Sequence, residues 1–425
     1  MSRVRTGPIV RQAVVTPVAV PDPPLLNAVG VHEPWALRAV IELRCEDGLI
    51  GLGETYGDAP HLALLRRAAA TLPGLDVFDG ADLQRRLAAA VGTANAPDRH
   101  GLTGATTPAK TLAKVTAPFE IACLDAQGHA TGRSVADLLG GRHRDRIPFA
   151  AYLFYKWAAH PGGEDDEWGP ALEPSELVDQ ARRMTERHGF ASLKLKGGVR
   201  PPEEELEAVT ELRRAFPDHP IRFDPNAAWT TATALRFADG AEGLLEYLED
   251  PTPGLAGMAA VAEAAPMPLA TNMCAVGFDD LPAAIDADAV GIVLCDPHYW
   301  GGLRATLQLA GICRTWGLGL SMHSNTHLGI SLAAMVHTAA ALPDLAYALD
   351  THTPWQGGAD VVLRSPRIEG GSVAVPDSPG LGVELDRDAL ERMHRDYLRC
   401  GLTERDDTSY MRRIDPDFEG TLPRW

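Results

Sequence analysis

Two lysines one residue apart, Lys194 and Lys196 in the stretch ASLKLKGG, open the chemical reading of this chain. On a short strand, period-two alternation turns both ammonium groups to one face and Leu193 and Leu195 to the other. Only five of the 39 cationic residues are lysine. Arginine would serve for charge alone; lysine differs because burial can free it for proton transfer or Schiff-base chemistry. The plain alternative is a charged pair on a sheet edge. Beyond the pair come Asp224, Glu249 (with Asp250), Asn272, Asp296, His323 and Asp350, at successive gaps from Lys196 of 28, 25, 23, 24, 27 and 27 residues. One Asp before Pro is an ordinary turn former. A whole series in step, with complementary side chains, asks for more than turns.

The residue types suggest the chemistry. Asp224, Glu249 and Asn272 offer only oxygen, which suits a hard cation, Mg²⁺ first. The two lysines stand to one side of that set. Asp296 and His323 stand to the other, where an aspartate on one imidazole nitrogen would fix the tautomer and raise the basicity of the other. A metal between a lysine base and a histidine base suits removal of a proton α to a carboxylate, with the developing charge held electrostatically.

These residues need a scaffold that brings successive strand ends together. Strand-like runs at 146–154, 191–196, 221–224, 244–250, 267–272, 290–296, 318–323 and 345–350 alternate with helical stretches. The pattern predicts an α/β fold, a parallel TIM-type (β/α) barrel over 145–370 with its site at the C-terminal strand ends. A doubly wound open sheet gives a similar pattern. Upstream, strands at 8–20 and 36–56, the latter with an EDG turn, precede helical periodicity from 60 to about 140. Strands followed by helices predict an α+β unit over 1–144, and the tail 371–425, which leaves the strand–helix rhythm, is placed to pack back on it. The segment Pro21–Pro34 is too rich in proline for a helix and too apolar for an idle linker, so it is expected to cover something as a lid.

A net charge of −18 argues against nucleic acid and anionic membranes as partners, though not against a small acidic substrate held by a local cation. The six cysteines are scattered, with no CxxC pair, as in a reduced, cytoplasmic protein. The N-terminus shows no signal-peptide core, and no apolar run approaches the ~20 residues of a membrane span.

The finer motifs carry a family resemblance: LLNAVGVHEPW (25–35), YLF (152–154), KLKGG (194–198), DPNAAW (224–229), EDP (249–251), ATNM (270–273), DPHYW (296–300), HSNTH (323–327), DTH (350–352), GLGVE (380–384) and RDD (405–407). In this order the chain resembles the enolase superfamily, and within it the glucarate dehydratase branch. The resemblance implies a capping domain made of 1–144 and the tail 371–425 over a modified TIM-type barrel, and dehydration of an aldarate to a keto-deoxy acid with one Mg²⁺ per subunit; a homo-oligomer is expected. It implies Lys196 as one base with Lys194 beside it, and His323 supported by Asp296 as the other base and as acid for the leaving hydroxyl. Asn226 and Asn325 would contact substrate hydroxyls or carboxylate, with Ser324 close by, and His32, Tyr152, His352 and Arg405 would line the pocket. In glucarate dehydratases the loop after EDP is longer and carries a further glutamate assigned to the metal. Here PTPGLAGM leaves no acid between Asp250 and Glu263, so Glu249 is the expected second ligand.

Three other readings share these residues. A racemase or epimerase needs the same two bases. A Schiff-base aldolase needs a barrel lysine but leaves Asp224, Glu249 and Asn272 without a task. A non-catalytic sugar-acid binder needs neither base.

Overall fold

The computed structural model describes residues 7–95 and 106–425. The first six residues and 96–105, within the N-terminus and helical region read above, lie outside the described residues.

Short apolar strands separated by amphipathic helices curl into one parallel sheet. Its seven strands follow chain order: Ala151–Phe154, Leu193–Lys196, Ile221–Asp224, Tyr247–Glu249, Leu269–Thr271, Ile292–Cys295 and Gly319–Met322. Helices such as Pro174–His188 and Pro202–Ala215 wrap the outside, so the strands are buried on both faces and read as continuous apolar runs. The register sets Tyr152 beside Lys194, and Phe154, Lys196 and Asp224 in one row.

The predicted eighth strand is not a regular strand. Its one ladder contact is a parallel bridge between Phe149 and Leu349. Leu349 N–H donates to Pro148 O at 2.9 Å, Ala150 N–H to Leu349 O at 2.7 Å, and Asp350 N–H to Met322 O at 3.3 Å. The neighbouring carbonyl of Ala348 is taken by side chains, Arg222 Nη1 at 2.6 Å and Ser321 Oγ at 3.1 Å, in place of a strand partner. This irregular stave therefore closes the ring between the seventh and first strands. The predicted strand 146–154 also divides: Arg146–Pro148 pairs antiparallel with Ser372–Ala374, and only Ala151–Phe154 enters the barrel.

The N-terminal cap is a three-stranded antiparallel sheet, Val10–Pro21, Trp35–Cys45 and Ile50–Tyr56, with a tight turn at Gly48 (φ 89°). Helix Pro108–Thr131 lies so close to strand Ile50–Tyr56 that a Cβ on Gly51 or Gly53 would come within 2.0 or 2.1 Å of a helix carbonyl oxygen. Cap and barrel are stapled through Glu54. Buried and bonded to Arg38 at 2.8 Å, it accepts from Leu328 N–H and Ser331 N–H at the start of barrel helix Gly329–Ala341.

The tail serves three places. Ser372–Ala374 joins the small sheet just described, helix Arg387–Arg399 lies against strand Val10–Pro21, and the last residues bond to the loop after Asp224 through Ala228 and Trp425. The lid is a two-rung hairpin, Leu26–Asn27 with Gly30–Val31, whose Leu25, Leu26, Val29 and Val31 are buried. Thr408 Oγ1 donates to Val29 O at 2.6 Å, Asp406 N–H to Glu33 Oε2 at 2.8 Å, and Asn27 Nδ2 to Asp407 Oδ2 at 2.7 Å, clamping lid to tail. Among the described residues no helix is long and apolar enough to cross a membrane. All six cysteines are free.

Candidate active site

Lys196 ends the second barrel strand with its Nζ 2.7 Å from Asp224 Oδ2 and 2.6 Å from Asn226 Oδ1. Asn226 reaches it because the DPN sequence turns sharply. Asp224 Oδ1 accepts from Asn226 N–H at 3.0 Å, and Asn226 takes a left-handed conformation (φ 55°) that asparagine tolerates. Lys194 lies deeper. Its Nζ donates to Glu249 Oε1 and Asp350 Oδ2, both at 2.8 Å, and sits 4.6 Å from the Tyr152 ring centroid. Burial opposes its charge, but Asp350 and Glu249 outweigh burial and hold the ammonium well above the ordinary lysine range. Lys194 is a fixed cation here.

The carboxyls of this cluster shift in opposite directions. Burial would raise Asp224, yet Lys196 and Lys194 hold it below the usual range. Glu249 goes the other way, pushed well up by burial and by Asp224. Its Oε2 lies 2.7 Å from Lys194 Nζ, an ion-pair contact without hydrogen-bond geometry, so the oxygen has no hydrogen-bond partner. Asn272 Nδ2 donates to Glu249 Oε1 at 3.0 Å, which leaves the amide oxygen of Asn272 uncommitted. Among the described residues no group of three His, Cys, Asp or Glu side chains is arranged to hold a metal ion. The oxygen set needs the Asn272 amide as its third member. With a buried carboxylate oxygen that accepts no hydrogen bond and only hard donors, these three residues fit a Mg²⁺-like cation.

His323 departs from the sequence expectation. Its partner is Asp350, not Asp296: Nδ1 lies 3.1 Å from Asp350 Oδ2. Burial would raise Asp350, but Lys194 and His323 keep it ionised, far below the usual range. Asp296 instead caps the short helix Pro297–Trp300, accepting from His298 N–H at 2.8 Å and contacting His298 Nδ1 at 2.7 Å, while Tyr56 O–H donates to its other oxygen at 2.6 Å. The cap draws Asp296 away. Ser324 does not line the pocket either; its N–H and Oγ brace Asp350 at 2.8 and 3.2 Å.

Above this floor the pocket is lined by the predicted His32, Tyr152, Lys196, Asn226, Asn272, His323, Asn325, His352 and Arg405. The lid's His32 is bonded through Nδ1 to Asp22 at 3.0 Å and lies parallel to His352, centroids 6.1 Å apart. Arg405 borders the pocket with its guanidinium bonded at two nitrogens to Asp407, 2.8 and 2.5 Å. Val29 of the expected lid and Asp407, the partner of Arg405, also line it, together with Asn27, Phe154 and Tyr299, which were not singled out from sequence. Asp350 had a signal. It closed the strand-end series, and in a closed ring it neighbours both His323 and the first strand.

Comparison with known proteins agrees with this architecture. Residues 176–389 match the family model for the enolase C-terminal domain-like fold. A probable glucarate dehydratase of Streptomyces coelicolor is 51% identical over 422 residues, 97% of each chain. The crystal structure of an enolase from Thermobispora bispora, complexed with magnesium and formate, superposes with TM-score 0.97 at 57% identity, covering 99% of this chain and 100% of that one. An enolase from Mycobacterium smegmatis, complexed with tartrate, gives TM-score 0.95 at 59% identity over 100% of both chains.

Proposed function

The chain belongs to the enolase superfamily, and we propose that within it the protein is a Mg²⁺-dependent dehydratase of an acid sugar of the glucarate type. One observation carries the reading. Lys196 and His323 enter the same pocket from the second and seventh strands, beside an oxygen-donor set in which one buried carboxylate oxygen accepts no hydrogen bond. The 51% identity to a probable glucarate dehydratase supports the substrate class.

In this reading Asp224, Glu249 and Asn272 would hold Mg²⁺, which when bound would supply positive charge against the substrate carboxylate. Lys194, fixed as a cation, adds to that field from below. Lys196 removes the proton α to the carboxylate, with Asn226 and Asp224 orienting its amine. His323 faces the same substrate with its Nε2, while Asp350 on Nδ1 sets the tautomer and stabilises the imidazolium. As imidazolium it gives its proton to the departing β-hydroxyl, so water leaves and an enol remains, which becomes the keto-deoxy acid on taking up a proton at the β-carbon. The lid and tail exclude bulk water from the reacting carbons.

The test is an assay of purified protein with Mg²⁺ and D-glucarate, followed by formation of the 2-keto acid. Wild type should form product; Lys196→Ala and His323→Asn should lose it by about 10²-fold or more. Mg²⁺ should raise the melting temperature of wild type and not of Asp224→Ala. Deuterium exchange at the α-carbon without water loss would identify an epimerase instead.

A further inference from the structure

A hydrogen-bonded chain runs from the cap into the pocket wall, and its polarity is fixed at one end. Asp296 is ionised: burial acts to raise it, but His298 outweighs burial and lowers the carboxyl to about 2. An ionised carboxylate only accepts, so Tyr56 commits its proton to Asp296 Oδ2 at 2.6 Å. The Tyr56 oxygen can then only accept. Asn325 meets it with Nδ2 at 3.4 Å and meets Tyr299 Oη at 3.3 Å. Tyr56 and Tyr299 stack with centroids 5.1 Å apart and planes 6° from parallel, with Arg38 over one ring and Lys114 over the other. With its nitrogen end held by the two phenols, Asn325 turns its Oδ1 away from them, and that oxygen has no protein partner among the described residues. Asn325 lines the pocket with His323.

We propose that Tyr56, a residue of the capping sheet, is a positioning residue that fixes Asn325 as a hydrogen-bond acceptor in the pocket wall, so that the site selects ligands bearing a hydroxyl donor at this point. An acceptor repels a carboxylate, so the sequence-level choice for Asn325 between hydroxyl and carboxylate resolves to hydroxyl. Flipping the amide would set its carbonyl against the Tyr56 oxygen, whose proton is committed to Asp296. The inference rests on the acid-sugar reading for the class of ligand.

Its test uses tartrate and succinate, diacids with and without hydroxyls, titrated calorimetrically in Mg²⁺-containing buffer, so it requires no turnover. A missing glucarate dehydration would therefore count against the proposed reaction and leave this result to stand separately. Wild type should bind tartrate about tenfold or more tighter than succinate. Y56F and N325A should each weaken tartrate about tenfold while changing succinate less than about twofold. The double variant should bind tartrate no worse than N325A, because the two residues act as one unit. Should Y56F melt too low to titrate, N325D and N325L decide the matter. N325D keeps an acceptor and should preserve the tartrate-to-succinate ratio, although its charge weakens both; N325L should abolish the ratio. The proposal is overturned if wild type fails to discriminate or binds neither diacid, if Y56F weakens both equally, if the losses multiply in the double variant, or if N325D loses the ratio.

Discussion

Asp350 touches both candidate bases' surroundings at once. It accepts from Lys194 and from His323 and is braced by Ser324. Asp350→Asn removes the carboxylate that orients the imidazole, and should lower kcat by about 100-fold with little change in KM. Asp296→Asn acts on Tyr56 and His298 instead and should move KM more than kcat. The reverse ranking in steady-state kinetics would return Asp296 to the role the sequence suggested. At this scale the sequence was legible in residue type and position along each stave, because a polar residue ending an apolar strand stands out. The direction of a side chain was not. Asp296 and Asp350 flank His323 symmetrically in a barrel, and only the cap's Tyr56 and the helix-capping bond to His298 decide which one turns toward it.

Among elements, the lid and tail depend on close approach. Gly30 has φ 143°, and a Cβ there would lie 2.4 Å from Asp407 O. Gly30→Ala should pry the hairpin from the tail, lowering stability by about 1–3 kcal/mol and raising KM for the substrate. An unchanged melting curve and KM would show that the two segments do not hold each other. Proline and apolar content announced a covering segment, but its partner was invisible, since residues 27 and 407 are joined only by folding. A second joint pairs helix Gly329–Ala341 with the segments before and after the barrel: His337 Nδ1 accepts from Ala136 N–H at 3.2 Å, and Nε2 donates to Leu381 O at 3.1 Å. Burial lowers His337 to about 4. A depressed histidine contributes stability that is whole above about 6.5 and lost as pH falls toward 4, about 2 kcal/mol by about pH 5. His337→Gln keeps an acceptor and a donor but cannot titrate. Its urea midpoint should fall less than that of wild type between about pH 7 and pH 5, and parallel falls would exclude His337 as the source.

For the whole molecule, the parallel barrel, the antiparallel cap and the order of the strands were readable because buried staves are apolar and evenly spaced. The last stave was not, since Arg222 and Ser321 reach from other strands to take the carbonyl of Ala348. Sequence periodicity holds no record of such theft. The seam at Leu349 gives the cylinder a weak plank. A plank fastened by so few backbone bonds opens at a lower free energy than the strands around it, and this one carries the carboxylate that serves both sides of the pocket. Warming should therefore silence the protein before it melts. Turnover should vanish roughly 5 °C below the loss of helical circular dichroism, with amides near 349 exchanging early. If the two curves coincide, the plank is as firm as its neighbours.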